Sequence, residues 1–351
     1  MKKAAFVALI GLLFMLSGCN AWLNGSYASV TPHKEQYFQP EQVLLAPKTY
    51  ADIENILVNM VLSGQQKKTI SMEAMKGDWQ KYVTEAVQYI QYTYPIGAYA
   101  IQDVSYDIGS SGGKIVLAMD ITYDRSVAEI GAIQRVENPE EIVESIYNAL
   151  RNFDVSVSFY MEDYKEVDFI QIVRDNAILY PQYIIEEPRV SVMTYPREGK
   201  DRVVELTFGY ATSRSSLREM QQQVGRFFSA SELYVSEEGT DMEKLAQLYA
   251  FLMNRSEYTV QTSITPAYSL LRYGVGDSKA FATVYAAMCR QAGIDCETIS
   301  GSRMQRTWYW NLIRVDGRVY HIDLLRCLEE GRFSYKTAQE MTDSVWDYSA
   351  Y

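Results

Sequence analysis

The stretch that decides the reading is "YGVGDSKAFATVYAAMCRQAGIDC", residues 273–296. It reads as a loop, then a helix that starts near Asp277, then the first residues of a strand, with Gly293 ending the helix in the usual way. Ser278 therefore stands at a helix N-terminus. A serine hydroxyl there is a poor nucleophile unless a base adjoins it, because helix-dipole stabilisation of an alkoxide is far too small. Outward from this segment, "DMEKLAQLYAFLMNRSEYT" (241–259) carries a helical apolar stripe at Leu245, Leu248, Tyr249 and Leu252. "DCETISGS" (295–302), "TWYWNLIRV" (307–315) and "RVYHIDLL" (318–325) read as strands, and Asp316-Gly317 is a two-residue hairpin signal. That turn pairs Val315 with Arg318. Counting back puts Trp310 opposite Asp323, with Trp308 on the same face one diagonal step away.

Residues 241–351 resemble the transglutaminase-like superfamily. The resemblance is carried by "DMEKLAQLYAFL", "AYSLLRYGVGDSKAFA", "GIDCETISGS", "WYWNLIRVDGRVYHIDL" and the tail "FSYKTAQEMTDSVWDYSAY". It implies a papain-like fold with a helix packed on an antiparallel sheet, and a Cys-His-Asp triad. Such chemistry uses a thiolate at a helix N-terminus, an imidazole that moves protons and a carboxylate that orients it. Matched by position, Ser278 takes the place of the cysteine and Trp308 that of the histidine, while Asp323 keeps the aspartate. Indole has one N–H donor and no acceptor, so Trp308 cannot take a proton. The triad is read as degenerate, and Tyr273, Trp308, Tyr309 and Trp310 as candidate lining of the former cleft.

His321 shares a face with Asp323 and is the one alternative base in this region. The register places it four residues from the level of Trp308, roughly 13 Å along the strand, so it would have to reach past Asp323. No metal first shell is recognisable, because the chain has two histidines far apart and no Cys-x-x-Cys. No cofactor is expected.

Upstream, one order of elements occurs twice. Helix 50–64, strand 67–72, helix 78–95 and two strands joined through "GSSGG" (109–113) form the first set. Helix 138–153, strand 154–161, helix 165–181 and the hairpin 189–210 form the second. Tyr94-Pro95 maps to Tyr180-Pro181 at a spacing of roughly 86 residues. The expected fold class is α+β: two duplicated αβαββ units (48–135 and 136–213), a connecting helix capped by Ser215 within 214–240, and the C-terminal domain 241–351.

The chain begins "MKKAAFVALIGLLFMLSGC". Two lysines and a short apolar run fit a secretory signal over residues 1–18. Its end resembles the lipobox of bacterial lipoproteins, which implies a lipid on Cys19 and a tether over 19–47. The net charge of −11 falls to −13 once Lys2 and Lys3 are removed, which argues against nucleic acid or anionic lipid as ligand. Cys289, Cys296 and Cys327 remain; they allow one disulfide or three thiols. The expected protein is a membrane-anchored extracytoplasmic lipoprotein whose inactive domain binds a peptide, envelope protein or glycan. The alternatives are a hydrolase or acyltransferase using Ser278 with Asp323 and His321, or a structural envelope protein in which the repeated units do the binding.

Overall fold

The structure is a computed structural model that describes residues 46–260, 263–342 and 346–347. The signal segment, Cys19 and nearly all of the tether lie outside the described residues. Among those described, no helix is long and apolar enough to cross a membrane.

The first unit opens with α1 (Tyr50–Ser63), started by a capping box between Thr49 and Asp52 and ended at Gly64. β1 (Lys67–Ser71) and α2 (Trp79–Tyr92) follow. Helix 78–95 was expected to run to Pro95. It stops at Tyr92, and Pro95 instead opens a separate short helix, α3 (Pro95–Ala100), where its missing N–H costs nothing. β2 (Ile101–Ser111) and β3 (Lys114–Tyr123) form the hairpin, and the antiparallel sheet has the order β1-β3-β2. Ile53, Ile56, Leu57 and Met60 of α1 share one core with Leu117, Met119 and Ile121 of β3.

After α4 (Val127–Gly131), β4 (Gln134–Val136) pairs in parallel with β5 (Ser156–Met161), so it belongs to the second sheet rather than to the unit before it. α5 (Pro139–Arg151) starts at Asn138, which caps it by accepting from Glu141 N–H. α6 (Phe169–Leu179) and the hairpin of β6 (Arg189–Tyr195) and β7 (Arg202–Gly209) complete a sheet of order β4-β5-β7-β6. Without β4, both sheets place the first strand beside the last, with the middle strand outermost. The two units are packed together: Val203 of β7 is enclosed in the first unit's core, and Arg125 reaches Glu205 at 2.7 Å, where Glu205 also accepts from Tyr195.

α7 (Arg214–Tyr234) is capped by Ser213, two residues before the expected Ser215. It buries Leu217, Val224 and Phe228 in the C-terminal core, with α8 (Asp241–Met253). β8 (Glu257–Tyr258) leads to α9 (Pro266–Tyr273), a helix where a loop was expected; Pro266 opens it and Gly274 closes it at φ +70°. A Cβ on Gly274 would lie 2.5 Å from the Arg255 carbonyl oxygen, so this close turn requires glycine. β9 (Val275–Gly276) pairs in parallel with β8.

α10 (Ser278–Gln291) is buried along almost its whole length and lies against β10 (Asp295–Arg303) and β11 (Arg306–Val315). Asn311 fixes the contact by donating to the Ala282 carbonyl at 2.8 Å. β12 (Arg318–Ile322) keeps the expected register, Val315 with Arg318 through Asn311 with Ile322. The strand expected over 318–325 ends at Ile322, because Asp323 caps α11 (Leu324–Glu329) and turns the chain away. α12 (Ala338–Thr342) follows, and β13 (Trp346–Asp347) adds a fourth strand beside β10. The result is one buried helix on an antiparallel sheet.

Candidate functional site

Ser278 is the first residue of α10, and the Asp277 carboxylate caps that helix by accepting from Ala280 N–H at 2.9 Å. Ser278 is 7% exposed, and its Oγ accepts the Tyr309 N–H at 3.4 Å. Among the described residues, no imidazole or carboxylate lies within hydrogen-bond reach of that oxygen.

The sheet brings Trp308 and Asp323 together as the register requires. Trp308 Nε1 donates to Asp323 Oδ2 at 2.9 Å. The other oxygen, Oδ1, accepts from Leu325 N–H at 3.1 Å and Arg326 N–H at 3.2 Å, the N-terminal amides of α11. A residue absent from the sequence reading completes the group. Arg303, at the end of β10, lies with its guanidinium 4.9 Å from the Trp308 ring centre. Its Nη1 is 3.7 Å from Asp323 Oδ2, and its Nη2 bonds Glu329 Oε2 at 2.6 Å. Arg303 and Asp323 are each 7% exposed, so a buried cation and anion stabilise one another through indole stacking, helix capping and ion pairing. Nothing in "SGSRMQ" distinguishes Arg303 from a surface arginine; only the fold encloses it.

Trp310, expected in the cleft, is fully buried and does not line an opening. It packs with Ile299 and Met341 and donates from Nε1 to His321 Nδ1 at 3.1 Å. That bond needs a lone pair on Nδ1 and so a neutral His321 ring. The histidine's backbone pairs with Lys336. Burial lowers the His321 pKa below its ordinary value. In the unfolded chain the ring protonates near about 6.5. Below that pH the unfolded state takes up more protons than the native state, so stability falls as pH drops from about 7 toward the lowered native value. The expected slope from this residue is at most about 1.4 kcal/mol per pH unit. His321→Gln should flatten that part of the profile in denaturant unfolding across this range, while an unchanged slope would place the proton uptake elsewhere.

Trp308 and Tyr309 are both half-buried, and as neighbours on β11 they point to opposite faces of the sheet; Trp308 is joined by an aromatic that the sequence reading missed. Tyr258 sits 5.7 Å from the Trp308 ring and pairs through its backbone with Gly276, next to Asp277. Tyr309 carries Lys279 Nζ 5.9 Å from its ring, and burial, then Asp277, raises its phenol pKa. Tyr273 projects from α9, largely exposed, edge-on to Tyr268. Beside the helix start lies a groove of about 620 Å³ bordered by Glu187, Tyr210, Ile264, Pro266, Asp277 and Lys279. Among the described residues, no cluster of three His, Cys, Asp or Glu could hold a metal. Cys289, Cys296 and Cys327 are buried free thiols, and burial pushes Cys289 well above its ordinary pKa.

Residues 230–332 match the family model of the transglutaminase-like superfamily. The match begins within α7, takes in Ser278, Trp308 and Asp323, and ends before the tail. Both αβαββ units lie outside it. Among solved structures, the chain is similar to a TGase crystal structure at 10% identity and a TM-score of 0.27, over 55% of this chain and 58% of that one. It is also similar to a protein described as a cysteine protease, from Cytophaga hutchinsonii, at 11% identity and a TM-score of 0.27, over 43% and 66%. A third, from Parabacteroides distasonis and described as a protease, is 11% identical with a TM-score of 0.25, over 63% and 35%. The chain thus spans less than two thirds of each. No curated protein matches it.

Proposed function

We propose that the transglutaminase-like domain is a binding module of an exported, lipid-anchored envelope protein, and that its ancestral chemistry is retired. The observation that carries this reading is the Trp308 Nε1–Asp323 Oδ2 hydrogen bond. An orienting carboxylate in such a site holds an imidazole; here it holds an indole that cannot accept a proton. The carboxylate is also engaged by Arg303 and the start of α11. Ser278 has a backbone N–H as its partner and no base. The ligand on this reading is a peptide, protein surface or glycan held against Trp308 and Tyr258, since aromatic faces with one polar edge suit such groups. The lipobox at Cys19 supports anchoring at a membrane, and the common strand order of the two upstream units supports their origin by duplication.

The test uses a glutamine-containing peptide with an amine donor, and separately a serine-directed acylating probe. Wild type and Ser278→Ala are expected to give the same background in both. A lost triad member typically costs on the order of 10⁴- to 10⁶-fold in rate. Probe labelling of Ser278 that vanishes in Ser278→Ala would establish the serine enzyme instead.

A further inference from the structure

The other end of α10 carries a second, unrelated cavity. Arg290 lies twelve residues after Ser278, about 18 Å along the helix. It borders a cavity of about 670 Å³ between α6, α7 and α10, together with Arg151, Gln182, Tyr183, Gly225 and Phe228. The chain is acidic overall, yet no Asp or Glu lines this space. Among the described residues, neither arginine has an ion-pair partner. Arg290 donates to two backbone carbonyls, Cys296 and Leu179, and its burial lowers its pKa. Arg151 lies over the Tyr183 ring at 4.7 Å. Arg151 is exposed and Arg290 half-buried, and two guanidiniums at one opening with no carboxylate beside them favour an anion.

Two further features point to a ligand. Gln182 Oε1 is buried with no hydrogen-bond partner, and a buried acceptor left unmade is costly. Gly225 lies inside the long helix α7, where glycine is unfavourable. A Cβ added there meets nothing within 4 Å, so close packing does not require the glycine. What it leaves is room in the cavity.

We propose that this cavity binds the C-terminal residue of a peptide. The carboxylate sits between Arg151 and Arg290, the terminal amide N–H donates to Gln182 Oε1 once that side chain turns toward the cavity, and the peptide's own side chain lies against Phe228 and Tyr183. One carboxylate with one N–H donor close by matches two guanidiniums and one orphaned acceptor. A sugar acid brings several hydroxyls that the apolar part of the lining does not answer. The negative end of α10 opposes an anion here, and Arg290 in its last turn offsets it. The proposal does not depend on whether Ser278 is catalytic.

Calorimetric titration of the full chain with N-acetyl-alanyl-alanine tests it, beside the same peptide as its C-terminal amide and beside glucuronate. Saturable binding of the free acid is expected, with the amide and Arg151→Ala each roughly tenfold weaker or more. Gly225→Leu should abolish binding while raising the unfolding midpoint, because it fills the cavity and strengthens α7. No saturable binding of the acid overturns the proposal. So does equal binding of the amide, binding of glucuronate alone, or unchanged affinity in both Arg151→Ala and Gly225→Leu.

Discussion

Asp323→Ala is expected to lower the unfolding free energy of the chain by about 3 kcal/mol or more, within the range for breaking a buried ion pair. The substitution removes several partners at once. Trp308 Nε1 loses its acceptor, the first amides of α11 lose their cap, and Arg303 loses an anion. Loss of an N-cap alone typically costs about 0.5–2 kcal/mol. Arg303 keeps Glu329, a mostly exposed carboxylate and therefore a weaker stabiliser, which holds the total near the low end of that range. Asp323→Asn keeps one acceptor oxygen, enough for the cap or for the indole but not for both, and removes the charge, so more than half of the loss is expected. The measurement is urea unfolding followed by tryptophan fluorescence. A near-neutral Asp323→Ala would mean that the carboxylate is held for chemistry and not for the fold.

On the proposed reading, that expectation would explain why the aspartate of a former triad persists while its other two members have changed. A thiol and an imidazole at Ser278 and Trp308 would have served the reaction alone. Asp323 serves the reaction and the chain path together: it ends β12, starts α11 and holds a buried arginine. If the activity is retired as proposed, the first two positions are released while the third stays under the constraint of folding.

The outline of this site was legible in the sequence because its signals are local. Asp316-Gly317 fixed the hairpin register, and the register alone brought Trp308 to Asp323. The glycine at 293 likewise marked the end of α10. Long-range features were not legible. Trp310 and Trp308 share a strand face, and period-two reasoning treats them alike. They differ because Met341, thirty residues onward, covers Trp310 while Trp308 remains half-buried near the sheet end. Arg303 becomes a buried cation only when the indole and Asp323 close on it. β4 was missed because three residues give too short a run for alternation, and the α9 helix because its eight residues, closed by Gly274, are too few to show a helical period.

Restoring the triad by Ser278→Cys with Trp308→His is expected to give only weak activity, and Arg303→Met added to that pair should raise it on the order of 10- to 100-fold. The obstacle is charge. Catalysis by this family needs an imidazolium beside a thiolate, oriented by Asp323. An imidazole in place of the indole would sit where the Arg303 guanidinium now stacks, 4.9 Å from the ring centre. At an effective dielectric of about 20, two positive charges at that distance repel by about 3 kcal/mol, enough to hold the imidazole neutral near pH 7. Arg303 would also compete for Asp323 Oδ2, the oxygen the histidine must engage. Removing the guanidinium frees the carboxylate and lifts the penalty on the imidazolium, while methionine keeps most of the buried stem's packing. The readout is the pH dependence of thiol alkylation by iodoacetamide. In the double variant the reactive thiolate should emerge only at alkaline pH, and in the triple variant near neutrality. Equal profiles would show that the cation does not reach the site electrostatically.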